Sequence, residues 1–359
     1  MPHASGYFRT RYERDLVLLD TRTQKVAMLL LAVALWVFPF LVGPLWVDLA
    51  SQVFLASIGA VALMLLTGYA GQISLGHAGL LAAGAFTAGI LVKEWNAPFW
   101  VTLPASACTG ALLGLVFGLP SLRLRGLYLA VSTLALHFIV VYLGGEYETK
   151  RGFSTGIMVD PPVIGGWELY HPRAWYFVLL GCAVLTVLFA LNLLRARSGR
   201  AWRALRDRET VAEALGISVP LYKLAAFVVS SVLTSVAGCL FAYYRGFVSV
   251  EAFSLFLSVQ YVAMIIIGGM GSILGSILGA TFVVLFPYGI ELLMGSLPVP
   301  ASWTNSMFAF NYAAFGLVMI GFLIFEPQGL VGIWKRVQNW FLFWPFRQAP
   351  LSGTKGSGR

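Results

Sequence analysis

Few polar groups are placed where this chain could do chemistry. The segment GYAGQISLGHAGLLAAGAFTAG, residues 68–89, lies between two apolar runs and is interrupted by Gly68, Gly71, Gly76 and Gly79. Non-helical backbone at membrane depth survives only inside protein or against a water-filled cavity. Gln72, Ser74 and His77 sit in this break and offer hydrogen bonds to a polar solute or to the freed carbonyls. They would then line or brace a passage; the competing reading is a tight turn whose polar groups are solvated. A second break, GGMGSILGSILGA at 268–280, repeats the start of the first, with Gly68, Gly71 and Ile73 matched by Gly268, Gly271 and Ile273. Broken helices at corresponding places of two related halves mark transporter sites, although three matches in a glycine-rich chain also arise by chance.

Covalent chemistry has little to work with. Cys108, Cys182 and Cys239 each lie inside an apolar run, and His3, His77, His137 and His171 are scattered without ligand spacing, so no metal site or disulfide framework is indicated. No nucleophile and base stand at usable spacing. A phosphate-cradling loop needs a lysine after glycine, and none of the six lysines follows one. The expectation is a non-catalytic chain with no cofactor of its own, any ATP-Mg being bound by another polypeptide. Two ionisable residues fall within apolar runs, His137 and Glu291. Such groups are functional candidates by default, against a hydrogen bond to a neighbouring helix for His137 and interfacial hydration for Glu291.

These groups must be positioned by apolar helices. Of 359 residues, 59% are hydrophobic and only 11% charged, with a mean hydropathy of +0.82; soluble domains carry about 25% charged residues. A globule this poor in charge could not cover its surface, and disorder needs low hydrophobicity. The fold class expected is an all-α polytopic membrane protein. A span takes about 20 apolar residues, and about ten runs qualify, near 26–47, 49–67, 78–92, 98–120, 126–145, 174–194, 222–244, 256–270, 273–294 and 308–325. Their length and continuity argue against a barrel of short alternating strands.

The net charge of +9 is not gathered into a nucleic-acid patch; the basic residues punctuate the gaps between runs. With the N-terminus inside and sides alternating, 19 of the 24 Lys and Arg fall on the cytosolic side, including Arg123 and Arg125 and seven from Arg195 to Lys223. That asymmetry is what the positive-inside rule requires, and it puts both termini in the cytosol. The expected organisation is a tail over 1–25, a membrane domain over 26–332 and a second tail over 333–359. The first run is too late and too long for a cleavable signal. Residues 146–173 form an external loop. Residues 195–221 form an internal one that reads as a single helix over 200–216, with Trp202, Leu205, Ala212 and Leu215 on one face, ended by Gly216 and Pro220. It would either lie on the anionic inner leaflet or dock into a groove of a cytosolic partner; acidic residues among its arginines favour a protein. Glycines at four-residue spacing, Gly110, Gly114 and Gly118, then Gly271, Gly275 and Gly279, suit close helix packing in lipid.

Five blocks in order, residues 68–89, RLRGLYLAVSTLA (123–135), GRAWRALRDRETVAEALGISVPLYKLAAFVVSS (199–231), MIIIGGMGSILGSILGA (264–280) and FEPQGL (325–330), resemble the LivM-type permease subunit of branched-chain amino-acid ABC transporters. The resemblance covers roughly residues 26–332. It implies a subunit of an importer in the bacterial inner membrane. Its partners would be a second, LivH-like permease, two cytosolic ATPase subunits and a periplasmic solute-binding protein. RETVAEALG looks like the loop that docks on the ATPase, with Arg203, Arg206, Glu209, Glu213, Ala214 and Gly216 at the coupling contact. The common permease pattern places three residues between EAA and glycine; here Glu213-Ala214-Leu215-Gly216 is compressed. Urea, amides or small aromatic acids are alternative cargoes to branched-chain amino acids. A secondary transporter acting alone is the other class, opposed by the lack of a carboxylate cluster in the spans.

Overall fold

The computed structural model describes residues 22–122, 124, 126–153, 156–164, 167–296 and 307–343. Most of both expected tails, and Arg123 and Arg125, lie outside them. The described chain is a helical bundle, with α1 (Arg22–Leu41), α2 (Pro44–Leu63), α3 (His77–Trp95), α4 (Phe99–Ser121) and α5 (Leu127–Arg151) in its first half. Then come α6 (Pro172–Arg195), α7 (Arg197–Asp207), α8 (Glu209–Ala214), α9 (Val219–Arg245), α10 (Leu255–Gly268), α11 (Ile273–Ser296), α12 (Met307–Phe325) and α13 (Gly329–Phe343). Among the described residues seven helices are long and apolar enough to cross a membrane, or eight if the pair bent by 52° at 326–328 counts as one span. This is an all-α polytopic membrane protein.

Every expected run is helical, with instructive differences at the edges. The first pair divides at Gly43 rather than near 48, because Pro44 has no N–H to lose at the start of a helix. The short third run extends through Lys93 and Glu94 to a left-handed cap at Asn96. Helix α10 has only 14 residues, about 21 Å at 1.5 Å per residue, short of the roughly 30 Å hydrocarbon core. The helix expected over 200–216 is two helices, separated where Arg208 takes an extended conformation (φ −156°, ψ 109°). The loop expected to begin at 146 starts later, since α5 continues to Arg151. Within that loop β1 (Ile157–Met158) pairs antiparallel with β4 (Phe247–Val248), and β2 (Val163–Ile164) with β3 (Trp167–Glu168).

The long helix α9 is the centre of the bundle, packed against α2, α3 and α4. Its contact with α4 uses the glycine stripe. A Cβ on Gly110 would lie 2.5 Å from Ser235 Oγ and 2.6 Å from the Ser231 carbonyl, and one on Gly114 2.9 Å from Ser231 Cβ. The outward sides of α4 and α6 expose Leu112, Leu115, Leu185 and Phe189, as a lipid-facing surface must.

Replacing Gly110 with Leu should force α4 off α9, a cost of about 1–3 kcal/mol by analogy with other overpacked cores. At Gly181, on α6, a Cβ would meet no atom within 4 Å, so Gly181→Leu should leave stability unchanged. Thermal unfolding of the two purified variants in detergent checks the contrast.

Candidate functional site

Helix α2 does not end cleanly but widens into a π-helical turn over Met64–Tyr69. The Ala70 and Gln72 N–H groups donate to Leu65 O (3.2 Å) and Leu66 O (3.1 Å), and Gly71 then reverses the chain at φ +71°. The freed groups of the break are satisfied by protein. Thr67 Oγ1 donates to Gln72 O (2.9 Å), Leu75 N–H to Thr133 Oγ1 (3.0 Å), and Ala78 N–H to Ser258 Oγ (2.9 Å). Gly76 and Gly79 let α3 press against α5, where a Cβ on Gly79 would meet His137 Cα at 2.6 Å. The second break, with Gly269 (φ +114°) and Gly271 (φ +86°), lies directly beside the first. Gly271 N–H points at Met64 Sδ (3.2 Å), and a Cβ on Gly68 would lie 3.1 Å from Gly271 N. Gly268 and Gly275 face each other between α10 and α11. The two breaks therefore form one junction.

Arg206, on α7, closes that junction. Its Nη1 donates to Gly68 O. A Cβ on Gly71 would be 3.2 Å from Arg206 Cα, and one on Gly271 2.6 Å from Arg206 Nη1. Helix α7 is held against the bundle by Trp202, 1% exposed, whose Nε1 donates to Tyr222 O at 2.9 Å. Arg203 donates to Leu194 O (2.6 Å) and Gly199 O (3.3 Å). A second tie runs through α8, where Glu209 pairs with Lys223 Nζ at 2.5 Å, the lysine side chain being buried. The Lys223 carbonyl accepts Gln72 Nε2 (3.1 Å), which connects this ion pair to the first break. Lys223 was not among the residues singled out from sequence; a lysine four residues into an apolar helix was the available signal.

Beyond Arg208 the direction changes. Trp202, Leu205 and Ala212 are buried as expected, but Leu215 is 74% exposed. The extended Arg208 turns α8 relative to α7, so one continuous apolar face is not formed. Glu213, Ala214, Leu215 and Gly216 (φ +83°) make an exposed corner, with Val211 and Leu221 exposed nearby.

Gln72, Ser74 and His77 are all buried. The His77 ring lies 4.6 Å from that of Tyr261, with Nδ1 3.5 Å from Thr234 Oγ1. Tyr261 in turn lines a cavity of about 580 Å³ between α2, α9, α10, α11 and α12, which also takes in Arg245 and Glu291. It lies toward the end of α9 remote from Arg206. His137 is buried against α3. Among the described residues no three His, Cys, Asp or Glu side chains gather as a metal site, and the three cysteines are unpaired.

Residues 45–325 match the family described as branched-chain amino acid transport system / permease component. The chain is 33% identical over 336 residues to the high-affinity branched-chain amino acid transport system permease protein LivM of Salmonella typhimurium, covering 87% of this chain and 76% of the relative. It is 34% identical over 330 residues to LivM of Escherichia coli, covering 85% and 74%. The autoinducer 2 import system permease protein LsrC of an Enterobacter strain is 28% identical over 238 residues, covering 64% and 63%. No solved structure matches.

Arg206→Lys should loosen α7, because an ammonium cannot reproduce the planar, multi-donor reach of guanidinium at a crowded site. Hydrogen–deuterium exchange of residues 197–214 should speed up about tenfold, corresponding to roughly 1.4 kcal/mol of lost closure, with exchange in α4 unchanged.

Proposed function

The chain belongs to the family of branched-chain amino acid permease components, and on that footing we propose that it is the membrane-embedded permease subunit of an ATP-driven importer for branched-chain or related amino acids. It forms a passage with a second, LivH-like permease in the bacterial inner membrane. A periplasmic solute-binding protein delivers the cargo, and two cytosolic ATPase subunits supply the energy. The chain itself catalyses nothing.

The observation that carries this reading is the junction at Arg206. A passage powered from outside needs a rigid path from the docking surface to the backbone that changes shape. Here the exposed corner Glu213–Gly216 spans the end of α8 and the turn toward α9, α8 follows α7, and α7 reaches both helix breaks through one guanidinium. The breaks are where helices can change direction without giving up regular hydrogen bonds, since those bonds are already replaced by side-chain and cross-helix partners. Movement of α7 and α8 with the ATPases would thus tilt α2, α3, α10 and α11 as rigid bodies. Arg203, Arg206 and Glu209 secure the lever to the bundle, Glu213, Ala214 and Gly216 present it to the partner, and Gln72, Ser74 and His77 brace the first break.

Leu215→Glu places a charge on the exposed corner without disturbing a buried contact. ATPase subunits should no longer co-purify, and ATP-driven leucine uptake in proteoliposomes should fall at least tenfold, with the permease's thermal stability unchanged. Retained co-purification and uptake would put the docking surface elsewhere.

A further inference from the structure

We infer that α13 lies in the cytosolic leaflet as an interfacial helix, its apolar face among the acyl chains and its basic residues at anionic phospholipid headgroups, and that the leaflet thereby acts on the second helix break.

The order of elements puts α13 at the membrane boundary. Helix α12 has 19 residues, about 28 Å at 1.5 Å per residue, which nearly fills the roughly 30 Å hydrocarbon core. The chain then bends by 52° at 326–328. Pro327 cannot continue the ladder of α12, and Gly329 opens α13 at φ +63°. The Glu326 carboxylate accepts Arg336 Nη2 at 3.1 and 3.2 Å, which ties α13 to the end of α12 across the bend. This end of the bundle also carries Arg206 and the seven Lys and Arg from Arg195 to Lys223. It is the cytosolic end by the positive-inside rule.

The spans are apolar all round, as α12 is; α13 is not. Its first turn is packed into the bundle, with Val331 and Gly332 buried, but from 333 to 337 every residue is exposed. Ile333, Trp334, Val337 and Trp340, all exposed, fall within an arc of about 120° on a helix. Lys335 and Arg336 stand outside that arc, and among the described residues Lys335 enters no ion pair. A helix with an apolar stripe beside basic residues lies in the plane of the interface, and Trp rings settle at headgroup level. The charge pattern favours lipid over a protein partner. After Glu326 the sequence has five Lys and Arg and no Asp or Glu, whereas α7 and α8 mix Asp207, Glu209 and Glu213 among their arginines. Each basic residue near an anionic surface strengthens attachment about fivefold.

The inner end of α13 presses on the second break. A Cβ on Gly329 would lie 2.5 Å from the Ile267 carbonyl oxygen and 2.6 Å from Gly269 N, and one on Gly269 2.5 Å from the Gln328 carbonyl oxygen and 3.4 Å from Val331 Cβ. Backbone in such contact leaves no slack, so a tilt of α13 displaces residues 268–271. A leaflet that holds α13 flat biases the break without touching it.

Two measurements test this. With p-benzoylphenylalanine in place of Val337, irradiation of native membranes should give phospholipid adducts. In vesicles of phosphatidylcholine with phosphatidylglycerol, hydrogen exchange over residues 264–275 should be severalfold slower than in phosphatidylcholine alone. Lys335→Gln, at an exposed side chain whose loss leaves packing intact, should shrink that difference. Adducts to a protein chain would mean that a partner covers the face. Equal exchange in the two vesicles, or a difference that Lys335→Gln leaves whole, would mean that the leaflet does not reach the break. Any of these overturns the inference and leaves the permease reading standing.

Discussion

Backbone hydrogen bonding inside a membrane is the constraint from which this architecture follows. Lipid offers no partner for a peptide group, so a helix can be interrupted only where protein replaces every bond it gives up. Among the described residues two interruptions, at 68–76 and 269–272, are placed against each other. There Met64, Thr67, Thr133 and Ser258 provide side-chain partners. The Gly68 carbonyl is met by a guanidinium from outside the bundle core. The charge of Arg206 is therefore structural in the same sense as a helix cap: it satisfies an acceptor that the fold has exposed.

Mobility and packing are divided between different parts of the molecule. Along α4 and α9 the glycine stripe brings Gly110 and Gly114 against Ser231 and Ser235, and the absence of side chains there leaves little to interdigitate or lock by rotamer. Close approach of this kind gives many small dispersion contacts, which suits helices that stay together as one body. The junction holds the opposite balance, a few directional bonds on glycine-rich backbone. Such a place can exchange one bonded arrangement for another without opening an apolar core. In the proposed cycle deformation would concentrate at the breaks, because the neighbouring helices are too closely packed to share it.

How much of this could be read from the residues depends on whether the determinant is local. Span positions follow from hydropathy, and the helix start at Pro44 from proline's missing N–H. The glycine interruptions and the small-residue stripe are visible as spacing. What spacing does not carry is juxtaposition. Gly68 and Gly271 are neighbours only because α2, α10 and α11 fold together. Arg206 differs from its neighbouring arginines only in what lies across from it. The single helix expected over 200–216 failed at Arg208, where no proline or glycine announces a break; the interruption lets Glu209 reach buried Lys223. For the same reason Leu215, whose helical spacing placed it with Trp202 and Leu205, points outward. A periodicity argument assumes one unbroken helix, and here tertiary pairing decided otherwise.

Helix α9 joins the junction of the two breaks to the cavity at the other end of the bundle. At its start, the carbonyls of Tyr222 and Lys223 accept Trp202 and Gln72, so both α7 and the first break are bonded to its first turn. At its far end Tyr244 bonds Asp48 at the start of α2, and Arg245 enters the cavity. Its 27 residues span about 40 Å at 1.5 Å per residue, with no proline beyond the first turn to kink it. In the proposed cycle a displacement imposed at α7 would reach the cavity end, because a helix packed against α2, α3 and α4 transmits tilt rather than absorbing it. At one end of this single element the buried lysine, paired with Glu209, fixes the helix to α8; at the other, Arg245 lies over the Phe241 ring on the wall of the cavity.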